Sequence, residues 1–259
     1  MTFGITNEHL AFVCFTRKAD ESLLPFHYSA IQTVLPGVPV RYAVDVADSE
    51  MAIPQGAEMV VTEWKRNGNL RGFEALRGIV ATLAQMAVDY PNARAIVKID
   101  SDVCFMGAEW LQPLVSEETG MMGVSPGGAF CASGACYGVS PRRLVEIAEF
   151  LASEIYFDLM DSRAEDATLS FIAAIVGKPY SVTIAQSYYP NLDLYFSCAF
   201  DSRMFSDLHL LDKVTGFVDC GSVGYFGKYL DEQASNVAAV KRRAMAQCLE
   251  YLKANSAKR

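Results

Sequence analysis

The chain has 259 residues, a length that suits one α/β domain with additions. Its formal net charge of −8 argues against broad nucleic-acid binding, which needs a positive footprint, and no apolar run approaches the length of a membrane span. The 51% hydrophobic share is ample for a large core, and the cysteines, an odd number with no Cys-x-x-Cys pair, read as reduced, buried thiols rather than zinc ligands.

Met1 to Leu10 is polar and carries Glu8, so it is not the pattern of a secretory signal. Together with reduced thiols this predicts a cytoplasmic protein. Leu10 to Phe15 reads as a first strand ending in Thr16-Arg17-Lys18. A helix is expected from Ala19 or Asp20 towards Thr33, with Pro25 early in it or breaking it. Pro36-Gly37 makes a turn. Val38 to Val46 is a second strand ending near Asp45, and Met59 to Trp64 a third. The loop Lys65 to Gly72 is polar and basic. Phe73, Leu76, Val80, Leu83 and Ala87 then recur at helical spacing.

Next comes Ala95-Ile96-Val97-Lys98-Ile99-Asp100-Ser101-Asp102-Val103-Cys104-Phe105. A β-branched apolar run of this kind is a buried strand of a parallel sheet, and open α/β sheets bind ligands at the carboxyl ends of their strands. Residues i and i+2 of extended backbone point to the same side, so Asp100 and Asp102 can converge on one divalent cation, or on a cation and a sugar hydroxyl. Oxygen ligands suit Mg²⁺ or Mn²⁺. Taken alone, Asp-Ser-Asp is equally a strand-to-turn junction.

Further on, Trp110 to Leu114 predicts a short helix, Met121 to Ser125 a strand, and Pro126-Gly127-Gly128 a turn. Ala129 to Val139 contains Ser133-Gly134 and Gly138, where backbone must bend or approach something closely. Ser140-Pro141 is a helix start, with Ser as N-cap. A later helix runs from Glu165 to Val176 and stops at Gly177, and Lys178 to Asp193 looks like strand and loop. Asp231 to Lys253 reads as an amphipathic helix whose stripe is Val237, Ala238, Ala244, Met245, Cys248, Leu249 and Leu252. The organisation expected is one domain over 1–230 and a C-terminal helix within 231–259 docked on the body or on a second subunit.

The order of these motifs resembles that of glycosyltransferases of the GT-A fold. Asp100-Ser101-Asp102 matches the family's D-x-D. Phe130 to Pro141 is similar to a glycine-rich stretch of galactosyltransferase-like and fringe-like enzymes, and Glu165-Asp166 to their acidic pair at a helix start. The resemblance implies an α/β fold with a mostly parallel central sheet flanked by helices. It implies a hexose moved from a nucleotide sugar, UDP-linked, to a carbohydrate or other hydroxyl acceptor. It implies Mn²⁺ or Mg²⁺ on Asp100 and Asp102, with Asp102 the direct ligand and His209 the candidate third, unless Cys220 occupies the place of a family His. Thr16, Arg17 and Asp45 would cradle the nucleotide, Arg71 or Arg77 would meet it, and Ser101, Ser133 and Gly134 would line the donor. Asp166, with Glu165 behind it, would be the base of an inverting transfer. A solvated loop accounts equally for Lys65, Arg66, Arg71 and Arg77, and the helix dipole for Glu165 and Asp166.

Other classes are less well served. A sugar-phosphate nucleotidyltransferase would carry a Gly-rich loop with Arg directly after the first strand, and Cys14-Phe15-Thr16-Arg17-Lys18 has no Gly. No G-x-G-x-x-G follows that strand either. A relative that binds sugar without turnover would have no need of Asp100, Asp102 and Asp166 together.

Overall fold

Leu10 to Phe15 form β1, and all six residues are buried. A strand buried on both faces needs cover on both, and helices supply it here. The computed structural model describes residues 4–63, 73–125, 132–153, 165–177, 182–186, 188–189, 194–200, 202–221 and 237–255. After β1 come α1 (Leu24–Val34), β2 (Val40–Asp45), β3 (Glu58–Thr62), α2 (Phe73–Asp89), β4 (Ala95–Asp100) and β5 (Val103–Phe105). Then follow α3 (Gln112–Val115), β6 (Met121–Ser125), β7 (Cys136–Val139), α4 (Pro141–Ala152) and α5 (Glu165–Val176). The remainder is β8 (Val182–Gln186), β9 (Tyr188–Tyr189), β10 (Leu194–Ala199), β11 (Val214–Asp219) and α6 (Val237–Asn255).

The main sheet has the order β3-β2-β1-β4-β7-β6-β8. Its pairings are parallel except for β7, which runs antiparallel between β4 and β6. Alternation along β1 sorts the core. Leu10, Phe12 and Cys14 pack with α1 and α3, while Ala11, Val13 and Phe15 pack with α2, α4 and α5. This is the mixed α/β architecture expected, with a mainly parallel sheet between helices.

A second sheet, β5-β11-β10-β9, was not foreseen. The chain from Ala95 to Phe105 reads as one apolar run, yet it breaks at Ser101-Asp102. β4 stays in the main sheet and β5 pairs antiparallel with β11. The first helix also differs from expectation. A 3₁₀ segment, Lys18–Leu23, comes first, and Pro25 sits in the first turn of α1, where a missing N–H costs nothing. β3 is shorter than expected, and Trp64 lies outside the described residues, as do Lys65, Arg66, Arg71 and the Pro126-Gly127-Gly128 turn.

Ser140 caps α4 as expected, its Oγ accepting from the Arg143 N–H at 3.3 Å. The described part of the last helix starts at Val237, so the acidic residues expected to open it lie outside the description. Its buried stripe is Ala244, Met245, Cys248, Leu249, Tyr251 and Leu252, while Val237 and Ala238 are exposed. The stripe packs with Ala30 of α1, Cys104 of β5 and Val218 of β11. None of the described helices is long and apolar enough to cross a membrane.

One core residue makes stability pH-dependent. His27 is fully buried, its Nδ1 lies 2.9 Å from the Tyr42 hydroxyl, and its Nε2 has no hydrogen-bond partner among the described residues. Burial pushes its pKa down to about 4, against a smaller upward pull from Asp102. Below about pH 6.5 the unfolded chain takes up a proton that the fold refuses, so this contribution is complete above that pH and is lost as pH falls towards 4. The loss should reach about 3 kcal/mol. Denaturant melts at pH 7 and 4.5 should show a shallower loss for His27→Met than for the wild type. Equal losses would remove His27 from the account.

Candidate active site

Asp100 ends β4, and its N–H donates to the Ala135 carbonyl at 2.9 Å. Two residues on, the Asp102 carbonyl accepts from the Cys220 N–H at 2.9 Å. The Asp-Ser-Asp turn is therefore the seam between the two sheets, with Ser101 buried in it.

Each carboxylate has its own lysine. Lys98 is only 1% exposed, and its Nζ lies 2.6 Å from Asp100 Oδ1 and 3.6 Å from Glu165 Oε1. It also donates to the Gly134 carbonyl. An ammonium buried in an apolar strand survives only with such partners. Burial alone would lower its pKa, but Asp100 and Glu165 outweigh burial and raise it. On the other carboxylate, Lys241 of α6 places its Nζ 2.7 Å from Asp102 Oδ2. Burial again opposes the charge, and the pull of Asp102 again wins, so the pKa of Lys241 is raised.

Asp100 has its pKa raised to about 7, first by burial and then by the charges of Asp102 and Glu165, against the lowering effect of Lys98. About a third of its side chain, 35%, still meets solvent, which limits the shift.

The acidic start of α5 joins the same cluster. The Gly134 N–H donates to Asp166 Oδ2 at 2.7 Å, and the Ala167 N–H to Asp166 Oδ1 at 2.7 Å. A Cβ on Gly134 would stand 3.0 Å from Asp166 Oδ2, so the glycine allows the close approach of that carboxylate. Ser133 closes the bend: its N–H donates to the Val124 carbonyl at 2.7 Å, and its Oγ accepts from the Ala135 N–H at 3.3 Å. Glu165 is buried and turned to Lys98, and burial raises its pKa. Asp166 is half-buried.

The other predicted residues stand as follows. Thr16 is buried just past β1, its N–H on the Ala43 carbonyl at 3.1 Å. Arg17 is exposed and pairs with Asp20 at 3.2 Å. Asp45 ends β2 and accepts from the Ala47 N–H at 3.0 Å, the bond of a turn cap. Arg77 is exposed on α2 with its guanidinium 5.6 Å from the Phe73 ring centre. His209 is 93% exposed in its side chain, with Nδ1 3.1 Å from Asp212 Oδ2. Cys220 is buried, and Gly221 after it lies so close to Asp102 that a Cβ there would come 2.4 Å from Oδ2.

A divalent ion on Asp100 and Asp102 is what the resemblance implies. Among the described residues no group of three or more His, Cys, Asp or Glu side chains is placed to hold a metal ion. In this arrangement one oxygen of each carboxylate faces an ammonium, which stands where the cation would, so the described residues do not fit the ion.

Lys98 and Lys241 are the residues that sequence reasoning missed. Lys98 had a signal, a lone charge inside Ile96-Val97-Lys98-Ile99, which demands a buried partner. Lys241 had none: it stands 139 residues from Asp102.

No protein-family model matches the chain, and no curated protein matches it. Among solved structures it is similar to one titled as the crystal structure of a glycosyltransferase involved in the glycosylation of the major capsid of PBCV-1. The two share 10% identity, with 91% of this chain and 98% of that one covered, at a TM-score of 0.48. A likeness of that degree transfers neither substrate nor residue roles.

Proposed function

We propose that this protein is a cytoplasmic glycosyltransferase that moves a hexose from a nucleotide sugar, UDP-linked, to a hydroxyl acceptor with inversion. The observation that carries the reading is the junction of three acidic positions at the carboxyl end of β4. Lys98 and Gly134 tie Asp100 to the Glu165-Asp166 pair, and Asp102, two residues past Asp100, pairs with Lys241. Ligands of α/β sheets bind at this end.

In this reading Asp166 removes the acceptor proton as that oxygen attacks the anomeric carbon. The bond from sugar to phosphate breaks, and the nucleoside diphosphate leaves. Asp166 suits the role better than Glu165. Its two backbone donors hold the carboxylate rigid, and each oxygen keeps a lone pair for the acceptor, whereas Glu165 is buried against Lys98. Lys98 fixes Asp100 and Glu165 and so sets the floor of the site.

Thermal shift against a panel of nucleotide sugars comes first, with a UDP-hexose expected to raise the melting temperature. Hydrolysis or transfer of that sugar follows, with the product's anomeric configuration read by NMR. A product that keeps the donor's configuration rules out the inverting role of Asp166. A panel with no shift and no turnover removes the glycosyltransferase reading.

A further inference from the structure

We propose that Lys241, carried into the site by α6, is the cation that holds the donor's diphosphate, so that a nucleoside diphosphate binds without a divalent ion. This rests on the reading of the strand-end cluster as a nucleotide-sugar site. A departing diphosphate gathers negative charge and needs a cation beside it. The two lysines of the cluster differ in what they can offer.

Lys98 is enclosed. It donates to Asp100 and to the Gly134 carbonyl, Glu165 completes its ion pairs at 3.6 Å, and solvent scarcely reaches it. Among the described residues Lys241 donates to Asp102 alone, one bond of the three that an ammonium can make. Its side chain is 16% exposed, and that of Asp102 19%, so the pair lies at a surface a ligand can reach.

Arg17, exposed at the end of β1 and paired with Asp20, is near enough that its charge acts against that of Lys241. Lys241 thus has a second cation nearby, and Asp102 and Asp20 are the acids whose charges act on it. At the same carboxylate, the missing Cβ of Gly221 leaves room for the Asp102 oxygens. An ion bound to Oδ2 would be repelled by an ammonium already 2.7 Å from that oxygen. The stripe from Ala244 to Leu252 anchors α6 to the second sheet and holds Lys241 in position without help from a ligand.

The test is calorimetric titration of UDP into the full chain, in Mn²⁺ and in EDTA, for the wild type, Lys241→Met, Lys241→Arg and Asp102→Asn. Melting curves of all four check that each is folded. The wild type should bind UDP with the same affinity, within about twofold, in both buffers. Lys241→Met should lose roughly tenfold or more in both, the worth of one charge-assisted bond, and Lys241→Arg should recover most of it. Asp102→Asn releases the ammonium from its partner and should tighten UDP severalfold in EDTA. Binding by the wild type only in Mn²⁺, abolished in Asp102→Asn, overturns the inference and leaves a metal-dependent transferase. Affinity unchanged in Lys241→Met overturns it as well. No UDP binding by the wild type in either buffer overturns the site reading itself.

Discussion

Asp166→Asn is expected to slow sugar transfer by roughly 10²–10⁴-fold at saturating donor, the usual range for loss of a general base. The substitution keeps size and removes basicity. It also disturbs two hydrogen bonds, because both carboxylate oxygens accept from backbone, from Gly134 and from Ala167. A carboxamide has one acceptor oxygen and must set its NH₂ against one of those donors. That mismatch should cost about 1–3 kcal/mol of stability, so turnover must be compared well below the melting temperature. Melting curves of the variant separate the two effects. Glu165→Gln should retain far more of the rate, since Glu165 faces Lys98. Transfer at the wild-type rate in Asp166→Asn but not in Glu165→Gln would exchange the two roles. Full activity in both would make the pair only a helix start.

Lys98→Met should be the most destabilising single change in the site, by about 3–5 kcal/mol, the cost of leaving buried charges without their partner. The methionine fills the strand well enough, but Asp100 and Glu165 then face each other with no cation between them. Both acids already have raised pKa values with Lys98 in place, Asp100 at about 7. An acid with a raised pKa favours folding in its protonated form, so the sign is clear. The deficit of the variant should shrink as pH falls below about 7 and these acids take up protons. Denaturant melts at pH 7.5 and 5 measure this, and Glu165→Gln in the Lys98→Met background should restore part of the loss. Wild-type stability in Lys98→Met would falsify the ionic tie between β4 and α5.

Local pattern was enough for much of the fold. β1, β6 and α5 have the bounds their apolar periodicity predicts, Leu10–Phe15, Met121–Ser125 and Glu165–Val176. The second sheet was illegible for a different reason. β5 is three residues long and continues an apolar run, so nothing local separates it from β4. Only its pairing with β11, more than a hundred residues later, shows that the chain has changed sheets. The carboxylates of the site were legible because a charge at the end of an apolar strand is conspicuous. Their counter-ions were less so. Lys98 was visible yet read as part of a strand, and Lys241 looks like any basic residue on the polar face of a helix. The Ser133-Gly134 bend was recognised as a place of close approach, but what approaches is Asp166.

The distance in sequence between Asp102 and Lys241 also governs when the site comes into being. Synthesis runs from the amino end, and domains fold as chain emerges. The main sheet's first strands, α2 and the Asp-Ser-Asp turn leave the ribosome early. The ammonium that answers Asp102 arrives 139 residues afterwards. At bacterial or eukaryotic elongation rates of about 5–20 residues per second, that is an interval of roughly 7–28 seconds. During it the nascent chain carries an acidic turn without its partner, and the second sheet, whose strand β11 ends at Asp219, forms late and waits for the helix that covers it. Completion of the helix therefore closes the core and pairs Asp102 in the same event, so a chain that stops short of α6 leaves both the second sheet and that carboxylate uncovered.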